Sequence, residues 1–322
     1  MSPILPTFEI VLDDLSSNNK NNKLMKLIAD KVKAGKILVS DGAWGTFLQQ
    51  KGLLPGECPE SWNLSHPEKV LEIAQSYIDA GSDMIETNSF GGTSFKLSAY
   101  GLDGQVATIN KAAAEISRKA AGPDKHVLGS IGPTGKMILM GDVTYEELYE
   151  AFKVQAMALA AGGADALVIE TMSDLDEARA AVSAARDNTN CEVICTMTFE
   201  KSEEGMFHTM MGISPAEMVQ AMIDAGATII GANCGNGMEN MVGITSQIRQ
   251  VDPNIPILIH ANAGAPIYKD GKTLFLETPE MMADFVEILV QAGANIIGGC
   301  CGTTPEHIRQ IAAAVKKLEA KA

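Results

Sequence analysis

Three cysteines in two glycine-rich motifs are the residues of this sequence best suited to hold a metal. Cys234 follows an apolar run in GANCG, and Cys300 and Cys301 follow another in GGCCGTTP. Adjacent cysteines do not readily form a disulfide with each other, because the small ring strains the peptide. Zinc prefers thiolates in a tetrahedral arrangement, and three protein ligands with an open fourth position are typical of catalytic zinc. The pattern predicts such a site; the alternative is three inert, buried cysteines.

Acidic side chains end three further apolar runs. Asp41 occurs in SDGAWGT, Glu86 in IETNSF and Glu170 in IETMSD. A carboxylate can bind a substrate ammonium group through charge-assisted hydrogen bonds. The alternative for each acid is a bond to a neighbouring arginine or backbone amide. Three acids in equivalent positions indicate that at least one binds a ligand.

Backbone amides and asparagines add candidates for substrate binding. Gly42 and Gly45 in DGAWGT offer N–H groups that suit a carboxylate, and Ala43 lies between them. Asn88 follows the second apolar run, and Asn262 follows the seventh in HANAG. Each of these two asparagines is a candidate contact to substrate or metal.

Together, these groups suit an amino acid that carries a thiol. A free thiol has a pKa of roughly 8.5 and is mostly protonated at neutral pH, whereas coordination to zinc deprotonates it. Three thiolate ligands give the zinc centre a formal charge of −1, which favours an electron-rich bound sulfur over activation of a carbonyl. The predicted chemistry is attack by a thiolate on an alkyl group. A zinc-dependent lyase or aldolase is the alternative from another enzyme class, and no lysine ends a predicted strand to form a Schiff base.

Eight short apolar runs alternate with amphipathic segments, which predicts βα units and a parallel sheet. The predicted strands are Ile37–Ser40, Met84–Thr87, Val127–Ile131, Ala166–Glu170, Val193–Thr198, Ile229–Ala232, Ile257–His260 and Ile296–Gly299. The clearest predicted helices are Pro67–Ala80, Tyr145–Ala161, Pro215–Ala225 and Pro279–Ala292.

A repeated phrase joins helix to strand at four places. It reads AGSDMIE from residue 80, AGGADALVIE from 161, AGATIIGA from 225 and AGANIIGG from 292, with the glycine predicted as a left-handed helix stop. Eight such units fit a (β/α)8 TIM barrel, an α/β fold, better than an open doubly wound sheet, and a barrel places its functional residues at the carboxyl ends of its strands. We expect one barrel domain over residues 36–322 after an N-terminal extension of residues 1–35. Within the extension, Leu24–Lys33 is predicted to form a short helix below the barrel.

Composition excludes several classes of function. The net charge of −15 argues against binding to a nucleic-acid backbone. No apolar run reaches the roughly 18 residues of a membrane span, and the N-terminal residues lack the layout of a secretion signal. Six cysteines are too few for a disulfide scaffold in a chain of this length, so we expect a reducing, cytoplasmic location.

Seven motifs, in order along residues 36–318, resemble the homocysteine S-methyltransferase family. The pattern is most similar to the homocysteine-binding module of cobalamin-dependent methionine synthase. Of these motifs, GANCG paired with GGCCGTTP is the most specific. The motifs are DGAWGT, IETNSF, GSIGPTG, VIET, GANCG, HANAG and GGCCGTTPEHI.

The resemblance implies roles for individual residues. It implies a TIM barrel whose three cysteines bind zinc, with Asn262 as the fourth ligand until homocysteine sulfur displaces it. It places Asp41 and Glu170 near the homocysteine amino group, and it assigns Asn88 and Phe90 to the pocket on the loop of the second strand.

The implied activity is transfer of a methyl group to homocysteine, which gives methionine. We expect methylcobalamin on a separate corrinoid protein to be the donor. The alternatives are a small onium donor, such as S-methylmethionine or betaine, and a subunit that only presents the thiol substrate to a partner.

Overall fold

Eight parallel strands form the centre of the molecule in a computed structural model that describes residues 27–269 and 272–321. In this sheet the first strand of the chain pairs with the last, and the others follow in reverse chain order down to the second. All eight lie within about two residues of their predicted positions. The strands are β1 (Leu38–Val39), β2 (Met84–Glu86), β3 (His126–Ile131), β4 (Ala166–Met172), β5 (Glu192–Met197), β6 (Ile229–Asn233), β7 (Ile257–Ala261) and β8 (Ile296–Gly299).

Contacts between β1 and β2 close this sheet into a barrel. The Asp83 amide donates to the Val39 carbonyl at 2.7 Å, and the Asp83 carboxylate accepts from the Val39 amide at 3.0 Å. Above them, the Glu86 amide donates to the Asp41 carboxylate at 3.0 Å. The chain therefore has the predicted (β/α)8 TIM-barrel fold.

An outer layer of helices follows the strands in sequence. The segment 279–292, predicted as one helix, is two helices that meet at Phe285. The helices between and after the strands are Pro67–Ala80, Val106–Ala121, Tyr145–Ala161, Leu175–Asn188, Pro215–Ala225, Met238–Val251, Pro279–Asp284, Val286–Ala292 and Pro305–Glu319. Shorter helices in the connections are Gly45–Gln50, Trp62–Ser65 and Ser94–Ser98. None of the helices in the described ranges is long and apolar enough to cross a membrane.

Two antiparallel hairpins interrupt the loops after β5 and β7. They pair Glu200–Lys201 with Phe207–His208, and Ile267–Lys269 with Lys272–Leu274. Both loops emerge from the carboxyl ends of their strands. The alternation of apolar residues did not predict these hairpins.

The predicted glycine stops are confirmed at three of the four repeats. Gly81, Gly226 and Gly293 have φ angles of 108°, 110° and 114° and end their helices in the left-handed conformation. In the remaining repeat, which begins at residue 161, Gly162 is right-handed, and the left-handed residue is Gly163, with a φ of 100°. The doubled glycine therefore moves that turn by one residue.

The interior of the barrel changes character from bottom to top. Its lower part is apolar, with side chains from all eight strands. Inward side chains lie two residues apart along a strand. Two residues beyond the apolar position in most strands, and four residues beyond it in β6, the inward side chain is polar. The lower residues are Leu38, Met84, Leu128, Ala166, Val168, Ile194, Ile229, Leu258 and Ile296. The upper residues are Glu86, Ser130, Glu170, Thr196, Asn233 and His260.

A short helix, Ile28–Lys33, covers the bottom of the barrel as the sequence predicts. Its buried face, which includes Ile28 and Val32, joins the apolar cluster of the lower barrel. The Glu192 carboxylate at the start of β5 accepts from the Ile28 and Ala29 amides at 2.5 and 3.0 Å. The expected boundary at residue 35 thus falls after a segment that is packed on the barrel. The remainder of the predicted helix, residues 24–26, and the predicted extension before it lie outside the described residues.

The lower apolar cluster makes a testable contribution to stability. Ile28→Ala should lower the free energy of unfolding by about 3 kcal/mol, because it leaves a cavity in a fully buried site. Leu27→Ala is the matched control: Leu27 precedes the same helix and is half-exposed, so the change should stay within about 0.5 kcal/mol. Urea unfolding measures both. Equal effects of the two substitutions would contradict the packing described.

Candidate active site

The three cysteines converge at the carboxyl end of the barrel. The sulfur atoms of Cys234, Cys300 and Cys301 lie within 4.8 Å of one another, and the Cys234 and Cys301 sulfurs are 3.9 Å apart. Cys234 follows β6 and the other two follow β8, while β7 lies between these strands. The predicted cluster is therefore present in the fold.

Backbone hydrogen bonds to β7 and its loop hold both cysteine loops. The Cys234 amide donates to the His260 carbonyl at 3.1 Å, and the Cys300 amide donates to the Ala261 carbonyl at 2.7 Å. Cys234 also has a φ of 61°, in the left-handed region that non-glycine residues seldom adopt. Such strain persists where the surrounding structure fixes it, most often at functional sites.

The spacing and chemistry of the cluster fit a tetrahedral zinc ion. Zn–S bonds of about 2.3 Å at tetrahedral angles separate two sulfurs by about 3.8 Å, close to the separation of Cys234 and Cys301. Hydrogen bonds from the Cys300 and Cys301 thiols lower the pKa of Cys234 well below that of a free thiol, which favours its thiolate. Nearby, the buried Asn262 Oδ1 has no hydrogen-bond partner among the described residues. An acceptor without a donor is costly to bury and suits a cation.

A cavity of about 250 Å³ opens beside the cysteines. This volume is small for a ligand pocket and suits a small molecule. Most of its surface is apolar, whereas its charged lining residues are all acidic. The lining includes Gly42, Ala43, Trp44, Gly45, Leu48, Pro59, Glu60, Glu86, Asn88, Phe90, Ser130, Glu170, Thr171, Cys234, His260, Cys300 and Cys301.

Buried acids on the inner wall of the cavity favour their protonated forms, and a cation bound beside them would favour the carboxylates. Burial raises the pKa of Glu170 and that of Glu86 well above the ordinary range, and the nearby Asp41 raises the pKa of Glu86 further. Glu86 Oε1 lies 3.4 Å from His260 Nδ1. Burial lowers the pKa of His260, which favours its neutral form. No lysine or arginine is among the described residues that line the cavity.

The three predicted acids occupy different positions. Glu170 and Glu86 line the cavity, and Glu170 Oε1 accepts from Ser130 Oγ at 2.5 Å. Asp41 lies behind this lining and is almost fully buried. Its Oδ2 accepts from Trp44 Nε1 at 2.9 Å and from the Glu86 amide at 3.0 Å. Asp41 thus fixes the wall that carries Trp44 and Glu86.

The predicted amide contacts are partly engaged within the fold. The Ala43 amide donates to Thr303 Oγ1 at 3.0 Å, so it is not free for a ligand. Gly42 and Gly45 line the cavity. Asn88 also lines it, but its Nδ2 donates to the Pro59 carbonyl at 2.8 Å and holds the neighbouring loop.

The prediction from sequence missed Asn233, which joins the acidic wall to the cysteines. Asn233 immediately precedes Cys234, and its Nδ2 donates to Glu170 Oε2 at 3.2 Å. Its position could have been read from β6, since Ile229 and Asn233 are four residues apart and share the inward face. Trp44, Ser130 and Thr171 were likewise not predicted to line the cavity.

Comparison with known proteins places this site in a family. The family model described as homocysteine S-methyltransferase matches residues 38–315. Among curated proteins, methionine synthase of Mycobacterium leprae is 31% identical over 304 residues and that of Mycobacterium tuberculosis is 30% identical over 308. These alignments cover 88% and 89% of this chain but 25% of each relative, so the chain spans about a quarter of their length.

Solved structures support the same assignment. The homocysteine methyltransferase MmuM from Escherichia coli is 25% identical in its metallated form, with a TM-score of 0.71 over 86% of this chain and 96% of that one. Its oxidized form gives a TM-score of 0.70 over 89% and 96% of the two chains. These similarities confirm the barrel fold.

Removal of one cysteine should strongly weaken metal binding. Cys300→Ala and Cys301→Ala should each weaken zinc binding by more than about 100-fold, because substitutions outside the ligand shell already cost about 10–100-fold. Zinc content, measured by atomic emission, should be close to one per chain in the unaltered protein. Cys191→Ala, at a free cysteine outside the cluster, is the control and should keep its zinc. Full zinc content in both cluster variants would exclude the site.

Proposed function

This chain belongs to the homocysteine S-methyltransferase family, and we propose that it transfers a methyl group to the sulfur of homocysteine, which gives methionine. The observation that carries the proposal is the arrangement of the cavity. Three cysteine sulfurs that suit zinc lie at one side, and buried acids that suit an ammonium group line the same cavity. Homocysteine has a thiol and an ammonium group to match them.

The proposed binding mode places each end of the substrate against a different strand end. The thiol lies beside the cysteine cluster, and the ammonium group lies against Glu170, where its positive charge would favour the carboxylate over the protonated acid. The substrate carboxylate lies against the backbone at Gly42 and Gly45. The two methylenes between thiol and α-carbon contact the apolar part of the lining.

Zinc held by Cys234, Cys300 and Cys301, with Asn262 as fourth ligand before the substrate arrives, would keep the homocysteine thiol deprotonated at neutral pH. The residues of the chain orient the substrate and exclude water. Ser130 and Asn233 donate to the two oxygens of Glu170 and orient that carboxylate toward the ammonium group. The apolar lining excludes water, which preserves the reactivity of the thiolate toward an alkyl group.

Methylcobalamin carried by a corrinoid protein or domain is the proposed methyl donor. The support is the similarity to methionine synthases that are about four times as long as the matched region. Such a donor would approach the open end of the cavity.

A cytoplasmic setting is part of the proposal, because the described cysteines are all unpaired.

A small onium compound is the second candidate donor, and the charge of the cavity favours it. Glu60 is a further buried acid in the lining, which also includes the aromatic residues Trp44 and Phe90. Aromatic faces and carboxylates both attract a sulfonium or quaternary ammonium group. S-methylmethionine and betaine are donors of this chemistry.

A donor screen tests the proposed function. Zinc-loaded protein would be incubated with homocysteine and one donor at a time: free methylcobalamin, a methylated corrinoid protein, S-methylmethionine or betaine. Methionine, measured by mass spectrometry, should form with a corrinoid donor. Formation only with an onium compound would assign the second candidate donor. No methionine with any donor, despite bound zinc, would contradict the transfer activity and favour a subunit that only presents substrate.

The proposed ammonium contact predicts a specific loss in the variant Glu170→Gln. Homocysteine should bind about 10-fold more weakly or worse, because one charge-assisted hydrogen bond is lost, and zinc content should not change. Calorimetric titration with homocysteine measures the affinity. Glu192→Gln is the matched control, since Glu192 has the same 7% exposure at the opposite end of the barrel. Unchanged affinity in Glu170→Gln would remove this role from Glu170.

A further inference from the structure

Asn233 makes four side-chain hydrogen bonds in the barrel interior and is fully buried. Its Oδ1 accepts from the Thr171 amide and from Thr196 Oγ1, each at 2.8 Å. Its Nδ2 donates to Thr171 Oγ1 at 2.7 Å and to Glu170 Oε2 at 3.2 Å. These bonds use both amide hydrogens and two acceptor sites, so the orientation of the side chain is fixed.

Two left-handed residues flank this hydrogen-bond network. Thr171 and Cys234 both have a φ of 61° and are the only non-glycine residues with positive φ in the described part of the chain. The register of β4 against β5 shifts between Ile169 and Met172. This irregularity lets the consecutive residues Glu170 and Thr171 both line the cavity, whereas regular alternation would direct them to opposite faces.

Asn233 therefore joins the two places where the proposed substrate is held. Through its side chain it holds Glu170, which faces the ammonium group. Through its peptide bond it is joined to the next residue, Cys234, which lies beside the substrate thiol in the proposed binding mode. A hydrogen-bonded link of this kind makes the distance between the two anchors a fixed property of the fold.

We propose that Asn233 is a positioning residue that sets the distance between sulfur and ammonium anchors, and thereby selects homocysteine over cysteine. This inference rests on the proposed function. Cysteine has one methylene fewer between its thiol and its α-carbon, so it cannot reach both anchors when their separation is fixed. Loss of the link would let the Glu170 carboxylate shift toward the shorter amino acid.

Asn233→Asp is the sharpest substitution, because it keeps the shape and the Oδ1 acceptor. It replaces Nδ2 by a carboxylate oxygen, which removes the donated hydrogen bonds to Glu170 and to Thr171 Oγ1 and adds repulsion toward Glu170. We expect the preference for homocysteine over cysteine to fall by about 10-fold or more, with zinc still bound. Asn233→Ser removes the amide group with all four of its hydrogen bonds, adds no charge and should act in the same direction.

Asn188→Asp provides the matched control. Asn188 ends the helix Leu175–Asn188, and its Nδ2 donates to Tyr149 Oη and to the Ala184 carbonyl, both at 2.9 Å. The same chemical change there should lower thermal stability but leave the preference unchanged. A merely structural role of Asn233 would give the same result as this control.

The readout is the affinity of zinc-loaded protein for homocysteine and for cysteine, measured by calorimetry with no methyl donor present. A reduced ratio in both Asn233 variants, with zinc retained, supports the proposal. An unchanged ratio in those variants overturns it, as does loss of zinc from them while Asn188→Asp keeps its metal. The proposed function fails in a different way: the unaltered protein would then show no binding of homocysteine at all.

Discussion

A cluster of buried acidic groups at one end of the barrel is the constraint on which the rest of this site depends. Glu86 and Glu170 are enclosed there together with three cysteine sulfurs. Burying uncompensated charge is costly, so such groups either take up protons or bind cations. With no lysine or arginine among the described lining residues, a bound cation is what would favour the carboxylates over the protonated acids. In the proposed reaction, zinc would balance the cysteine sulfurs and the substrate ammonium group would balance the carboxylates.

The barrel supplies the geometry that holds these groups close together. Its lower interior is apolar and is covered by the helix Ile28–Lys33, which leaves the upper interior as the polar region. Of the five buried polar atoms without a hydrogen-bond partner among the described residues, three belong to Glu86, His260 and Asn262 near this end. Buried polar groups in native proteins are nearly always paired. Their concentration beside the cysteines is the feature expected of a site that is completed by its ligands.

Much of this arrangement follows from the sequence because the underlying patterns are local. The alternating apolar runs and glycine stops predicted the eight strands. The positions of Cys234 and Glu170 at strand ends predicted that both lie at the same rim of the barrel. The role of Asp41 behind the lining did not follow, because a hydrogen bond to Trp44 Nε1 depends on side-chain packing. The bulge at Thr171 could not be predicted either, because it arises from the pairing of two strands and does not alter the spacing of apolar residues in the sequence.

The central claim is that a thiol substrate joins a zinc ion held by three cysteine sulfurs. X-ray absorption at the zinc edge tests it most directly, because it counts the sulfur neighbours at about 2.3 Å. The protein alone should show three sulfur neighbours and one lighter atom, and addition of homocysteine should raise the sulfur count to four. A sulfur count that stays at three with homocysteine bound would contradict the account.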